Sequence, residues 1–234
     1  MKSNQQANIL VALQPMDLSH TEENYIKAIF TLSQMGGDNV TTNGIAAEMN
    51  TTAASVSDML KKLANKKLIN YKKYHGVQLT HEGEKIAIHL IRRHRLWEVF
   101  LTDKLNFNWD EIHVLAEELE HIKSTQLIER LEEFLGYPTH DPHGDPIPDA
   151  KGNIQYHEPV SLSELQNGDK GIIVKVDEQS SGFLQYLDKH RIAINSKVEV
   201  LENNEFDGSK HIVINGKPLF VSDKVCLNLT VKKL

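Results

Sequence analysis

Apolar positions recur along this chain with two different periods, and the change from one to the other divides it. Residues 19 to 35, SHTEENYIKAIFTLSQM, carry Tyr25, Ile29 and Leu32 on one helical stripe, with Ser19 or Thr21 placed to cap the first turn. GGDN interrupts the stripe. TTNGIAAEMN predicts a short second helix with Ile45, Ala46 and Met49 apolar. TTAASVSDMLKKLANKKLI predicts a third, capped by Thr51 or Thr52, with Val56, Leu60 and Leu63 turned inward. INYKKYHGVQLT then changes to a strand pattern, two short strands around His75-Gly76. From Thr80 to Gly136 the pattern is helical almost throughout. The tract YPTHDPHGDPIPDAKGN is dense in Pro, Gly and Asp, the composition of a boundary. Beyond it KGIIVKV, KVEVLE, HIVING and CLNLTVKK predict short strands between polar turns, hence a small β-barrel or sandwich.

Helix, short helix, tight turn, helix and hairpin is the order of a winged helix-turn-helix. The expected organisation is an extension at 1–16, a winged helix-turn-helix at 17–80, a helical region at 81–136, a Pro/Gly linker at 137–157 and an all-β domain at 158–234. The outer face of the third helix is slim, which suits a major groove about 12 Å wide. Ser55, Ser57 and Asp58 are the candidates for base edges, with Thr51 at the start of the helix and Thr52 and Ala54 near thymine methyls. Asp58 alternatively caps a neighbouring helix end. Lys61, Lys62, Lys66, Lys67, Lys72 and Lys73 follow as candidates for phosphates. A small helical domain that binds a protein is the competing reading.

Charge sharpens this division. The net charge of −6 argues against nucleic acid, but residues 41 to 96 hold ten Lys or Arg against four Asp or Glu, and residues 97 to 150 hold three against thirteen. A basic block beside an acidic one implies two jobs. No apolar run approaches the ~18 residues of a membrane-spanning helix. The single Cys226 excludes an internal disulfide and a multi-Cys zinc site, and points to a reducing cytosol.

The acidic block contains LAEELEHIKS. On a helix Glu117, Glu120 and His121 stand at i, i+3 and i+4 and share one face, as ligands of a divalent transition metal do. An exposed Glu–His pair on an acidic helix gives the same spacing. His94 and Glu98 form another i, i+4 pair, and His113 lies near the start of the helix bearing the triplet. Crowded carboxylates favour a proton or a cation. No HExxH, second ExxH, phosphate loop or GxSxG is present, so a metal-dependent hydrolase is disfavoured, and an enzyme is not expected.

With these motifs in view, the chain resembles the DtxR/MntR family of metal-dependent bacterial transcriptional repressors over roughly residues 17 to 234. TEENYIKAIF resembles the family's first helix, IAAEMNTTAASVSDMLKKLANKKLI its helix-turn-helix, RRHRLWEVFL and EELEHI its two metal-ligand segments, and DPHGDPIP its hinge. The C-terminal part resembles the FeoA-type, SH3-like barrel of the longer members.

The resemblance implies a repressor that binds a double-stranded DNA operator as a homodimer, with Mn²⁺, or else Fe²⁺, as co-repressor. It implies two metal sites per chain. Glu117, Glu120 and His121 with Asn24 match the regulatory site. His94, Glu98 and His113, completed from the barrel by Asp177, Glu178 or Gln179, match the ancillary one; Glu178 is the ligand taken forward. Glu117 stands where iron-responsive members carry Cys, which moves the site toward oxygen ligation and Mn²⁺. Asn24 and Lys27 match neither the iron nor the two-manganese pattern. The alternative is a DNA-binding protein of the same shape whose acidic site is structural and senses nothing.

Overall fold

The computed structural model describes residues 18–34, 40–72, 76–154 and 160–234, with Lys72 described by its backbone alone. The expected extension at 1–16, the GGDN break, Lys73 and the hairpin tip at His75 lie outside the described residues. The chain divides after Gly83 into two compact units.

The first unit is built from α1 (His20–Gln34), α2 (Thr42–Glu48), α3 (Ala53–Asn65) and the strands β1 (Ile69–Lys72) and β2 (Gly76–Leu79). The strands pair antiparallel with Ile69 opposite Leu79 and Tyr71 opposite Val77. Each helix start is defined by a hydroxyl. Ser19 Oγ accepts from Glu22 N while Glu22 Oε2 accepts from Ser19 N, a reciprocal capping box. Thr41 caps α2 and Thr52 caps α3, each typically worth about 1 kcal/mol. Ile26, Ile29, Ile45, Val56, Leu60 and Leu63 are buried, which is the stripe that periodicity predicts. Val40 adds a bridge to Val77, a pairing that a lone Val among polar residues gives no periodic sign of. At the end of the unit Thr80 Oγ1 accepts from Gly83 N and donates to Lys67 O. Gly83 is required there because a Cβ would collide with the Leu68 carbonyl.

The second unit takes in α4 (His81–Leu105) from Glu84 onward, followed by α5 (Ile112–Leu119) and α6 (Thr125–Phe134). The helical run is thus broken twice. Asn106 at φ 57° ends α4, and Ser124 starts α6 afresh by accepting from Leu127 N. Leu96, Trp97, Val99, Leu101, Ile112, Ala116, Ile128 and Leu131 form one core, and Ile147 of the Pro-rich tract belongs to it. That tract is held closely over its described part. Arg92, salt-bridged to Glu132 at 2.6 Å, donates to Pro148 O, and Arg95 donates to Pro146 O. Its prolines set a shape that the helices grip.

The remaining residues form a six-stranded antiparallel sheet of order β3-β8-β4-β5-β6-β7. The strands are β3 (Val160–Ser161), β4 (Lys170–Val176), β5 (Lys197–Asn203), β6 (Lys210–Ile214), β7 (Lys217–Val221) and β8 (Leu229–Lys233). Val198, Val200, Ile212 and Ile214 point into its core at the strand period. In β4 the buried positions are Gly171, Ile173 and Val176, the last displaced by one because a bulge between Ile173 and Lys175 shifts the register. Asn215 and Gly216, both at positive φ, turn β6 into β7. Two helices depart from the all-strand expectation. One is α7 (Ser181–Lys189). The other, α8 (Asp223–Leu227), takes the first two residues of CLNLTVKK out of the strand, because Ser222 caps a helix by accepting from Val225 N. Cys226 is buried in the core of this sheet domain.

Candidate metal centre and DNA-facing helix

Glu98 sits one turn after His94 on α4 and is buried. Its two oxygens face different ways. Oε1 lies 3.0 Å from His94 Nε2 and 3.7 Å from His113 Nδ1, whereas Oε2 lies 3.9 Å from His143 Nδ1. Two sets of three ligand atoms result, His94–Glu98–His113 and Glu98–Asp141–His143, the atoms of each lying within 4.8 Å of one another. Glu98 is common to both.

The second set comes from the Pro-rich tract, which the sequence reading treats as a hinge. Asp141 Oδ1 accepts from His143 N and Asp145 N, a tight turn that points His143 inward. Gly144 at φ +89° permits that turn, and a Cβ on it would strike the Val174 carbonyl at the β4 bulge. Val176 N donates to His143 O at 2.9 Å. The His143 ring stacks on Trp109 at 5.9 Å, and its Nε2 lies 3.0 Å from the Trp109 carbonyl oxygen. That oxygen only accepts, so Nε2 carries a proton and Nδ1 is the ring atom able to offer a lone pair. Nδ1 is buried with no hydrogen-bond partner. A histidine that donates one N–H to a carbonyl and aims its other nitrogen at carboxylates is the usual support of a metal ligand. The spacing Asp-x-His in DPHGD was the available signal in the sequence.

Electrostatics agree with this geometry. Burial pushes the Asp141 carboxyl up to about 7, with the Glu98 and Asp145 charges adding to it and Arg95 opposing. Burial also acts on Glu98, but the facing His113, His143 and His94 outweigh it and hold Glu98 well below the usual carboxylate range. For His143 burial disfavours the charge, yet Glu98 and Asp141 raise its pKa. Protons therefore compensate the site where a cation would. Uptake of a divalent cation by Glu98, Asp141 and His143 should release protons. Its affinity is expected to rise from pH 6 through about 7, as Asp141 and His143 give up their protons. Mn²⁺ titration calorimetry in buffers of different ionisation enthalpy measures the protons released; a flat profile between pH 6 and 8 would contradict the assignment.

The expected regulatory triplet is placed differently from its helical drawing. α5 ends at Leu119, so Glu120 is its C-cap residue and His121 lies in the following turn. Glu117, half-exposed, faces His113 at 3.6 Å. Glu120 is fully buried and faces His94 Nδ1 at 2.5 Å. Thus Glu117 and Glu120 turn toward ligands of the other cluster, and Glu117, Glu120 and His121 are not among the converging sets of the described residues. Asn24, in the first unit, has Oδ1 buried with no hydrogen-bond partner. Glu178 joins neither set; it accepts from Ser180 N and lies 3.9 Å from Lys224. Asp177 accepts from Thr230, and Gln179 donates to Asp145.

On α3, Thr52, Ala54, Ser55, Asp58, Lys61 and Lys62 are exposed, while Thr51 and Ser57 are half-buried. Thr52 is occupied as the cap, Ser57 Oγ donates to Ala53 O, and Asp58 pairs with Lys61 at 2.9 Å. Lys62 leans on Glu22 at 3.4 Å.

A winged helix followed by a helical region with buried His–carboxylate clusters and a small β domain defines a protein of the metal-responsive DNA-binding class. Residues 17–77 match the iron dependent repressor N-terminal DNA binding domain, 80–149 the iron dependent repressor metal binding and dimerisation domain, and 160–233 the FeoA domain. The iron-dependent repressor IdeR of Mycobacterium tuberculosis is 31% identical over 132 residues, 56% of this chain and 57% of that relative. The aligned stretch therefore spans a little over half of that relative's length. The diphtheria toxin repressor of Corynebacterium diphtheriae is 27% identical over 229 residues, covering 93% of this chain and 99% of its own. A solved manganese-dependent transcriptional repressor in complex with manganese superposes with a TM-score of 0.84 at 32% identity, covering 91% of this chain and all of its own. The chain belongs to the DtxR/IdeR family of iron-dependent repressors.

Proposed function

We propose that this protein is a homodimeric DNA-binding repressor gated by a divalent metal, Mn²⁺ in first place and Fe²⁺ in second. The observation that carries the reading is the convergence of His94, Glu98, Asp141 and His143, all buried, with the exposed His113, and with the orphaned His143 Nδ1 aimed at a carboxylate. The donor set fits such an ion: it is nitrogen and oxygen throughout, and the one cysteine lies in the sheet core. A bound cation would supply the positive charge that protons supply otherwise. Glu98 orients both sets, Glu120 fixes the His94 ring, and Trp109 fixes the tautomer of His143. Glu117, Glu120 and His121 serve as the regulatory donors, and Asn24, whose Oδ1 is buried without a hydrogen-bond partner in the first unit, offers a further oxygen.

On the DNA side, Ala54, Ser55 and Asp58 face the bases, with Thr51, Thr52 and Ser57 shaping the helix start. Lys61, Lys62, Lys72 and Lys73 meet phosphates. Val114 and Phe134, 65% and 63% exposed, are large apolar side chains that a second copy would cover. Val99 and Leu101, by contrast, are spent on the internal core. A change in metal occupancy shifts the population of the DNA-competent arrangement by no more than the ion's preference for it.

The test is a duplex-binding titration at fixed salt, with the operator selected from a random library, using chelator-treated protein and protein loaded with Mn²⁺, Fe²⁺, Co²⁺ or Zn²⁺. Mn²⁺ is expected to tighten binding by about 5–150-fold. Equal affinity with and without metal would leave the site a structural one.

A further inference from the structure

We infer that Glu98 is a bridging carboxylate: His94 and His113 with its Oε1, and Asp141 and His143 with its Oε2, hold two divalent ions at once, one on each side. This deepens the metal reading above and rests on it. The competing arrangement is a single ion that takes one side or the other.

Two imidazoles are poised alike on opposite oxygens of this carboxylate. His94 Nδ1 donates to Glu120 Oε2 at 2.5 Å, which leaves Nε2, 3.0 Å from Glu98 Oε1, as the nitrogen for an ion. His143 Nε2 donates to the Trp109 carbonyl oxygen at 3.0 Å, which leaves Nδ1, 3.9 Å from Glu98 Oε2. Each ring has its far nitrogen tied to an acceptor and its near nitrogen aimed at Glu98, the support that fixes a ligand's tautomer. His143 is fully buried and its Nδ1 has no hydrogen-bond partner. A buried ring nitrogen left so is a cost that a bound ion removes.

One ion does not serve both sides. Donors on one first-row ion lie within roughly 4.5 Å of one another, twice a bond of about 2.0–2.3 Å. The donor atoms of each set lie within 4.8 Å of one another, and among the described residues the five side chains do not merge into one such set. Asp141 brings the second negative charge on the Oε2 side. Its Oδ1 accepts from His143 N and Asp145 N, and its Oδ2 lies 3.6 Å from Arg95 Nε, an ion pair too long for a hydrogen bond. Occupying the Oε2 side fastens the turn at Asp141–Asp145 to α4. Strand β4 is fastened with it, since Val176 N donates to His143 O.

The experiment uses the full chain, free of DNA and saturated with Mn²⁺, as wild type, His143→Gln and Asp141→Asn. Asn keeps an oxygen for the two N–H groups of the turn, so this variant decides the matter if thermal melts show His143→Gln to be unfolded. Equilibrium dialysis counts the bound ions. Electron paramagnetic resonance reads whether two of them share a ligand, because an exchange-coupled Mn²⁺ pair shows half the hyperfine spacing of an isolated ion. Wild type is expected to show the coupled pattern. Each variant is expected to lose about one Mn²⁺ per chain and the coupled pattern together, as removal of one half of a two-metal site requires. Isolated-ion signals alone in saturated wild type overturn the bridge, whether or not Mn²⁺ tightens operator binding. A coupled pattern that survives in the folded variants puts the pair elsewhere and overturns it as well. Wild type that binds no Mn²⁺ overturns the metal reading and the bridge with it, whereas a coupled pair in a protein whose operator affinity ignores Mn²⁺ overturns the gating alone.

Discussion

Replacing Glu98 with Gln is expected to deprive both candidate clusters of metal in a single step. No other side chain is shared between the sets, and each oxygen of this carboxylate serves a different one. Gln preserves shape and volume but offers one weak oxygen and an NH₂ that points donors at His94, His113 or His143. The loss in Mn²⁺ affinity should exceed the about 10–100-fold that follows removal of an outer-shell partner. Glu118→Gln is the comparison, because Glu118 is exposed on the neighbouring helix and belongs to neither set. Counting bound Mn²⁺ by equilibrium dialysis decides the matter. A Glu98→Gln protein with wild-type stoichiometry would show that the convergence is not a metal centre.

Gly144→Ala is expected to have the largest effect on the second unit. The residue combines φ +89° with a Cβ position already filled by the Val174 carbonyl and Lys175 Cα. Strain at positive φ costs about 1–3 kcal/mol, and overpacking against backbone that cannot rotate away adds a comparable amount. The turn relaxes only by lifting off β4, which breaks the Val176 N–His143 O bond and moves His143 away from Glu98. A substitution bearing no polar atom should therefore weaken metal uptake as well as stability. Hydrogen exchange at the Val176 amide and Mn²⁺ titration should change together; unaltered protection there would count against the turn as the support of the second cluster.

Much of this was legible in the sequence. The three helices of the first unit, the hairpin and most strands of the C-terminal domain follow from periods of 3.6 and 2 and from the hydroxyl caps. His94, Glu98 and His113 were legible because i, i+4 spacing on a long helix fixes two of them on one face. Asp141 and His143 were not, since their convergence on Glu98 depends on a turn at positive φ and on the β4 bulge beneath it, neither of which has a period. Glu120 shows a second limit of spacing. Its spacing from Glu117 promises a common helical face, but the helix stops one residue earlier and burial sends its carboxylate to His94. The same holds for Glu178, whose neighbouring Ser180 offers a backbone N–H close enough to satisfy it locally.

The thiol chemistry of this chain is confined to one protected atom. Cys226 is fully buried in the sheet core, and burial pushes its thiol up to about 11, so almost no thiolate exists near neutral pH. Peroxide reacts with thiolates, and the converging donors are imidazole nitrogens and carboxylate oxygens. A thiol switch at this cysteine is therefore closed to peroxide while the sheet domain stays folded, and the converging donors contain no sulfur to lose.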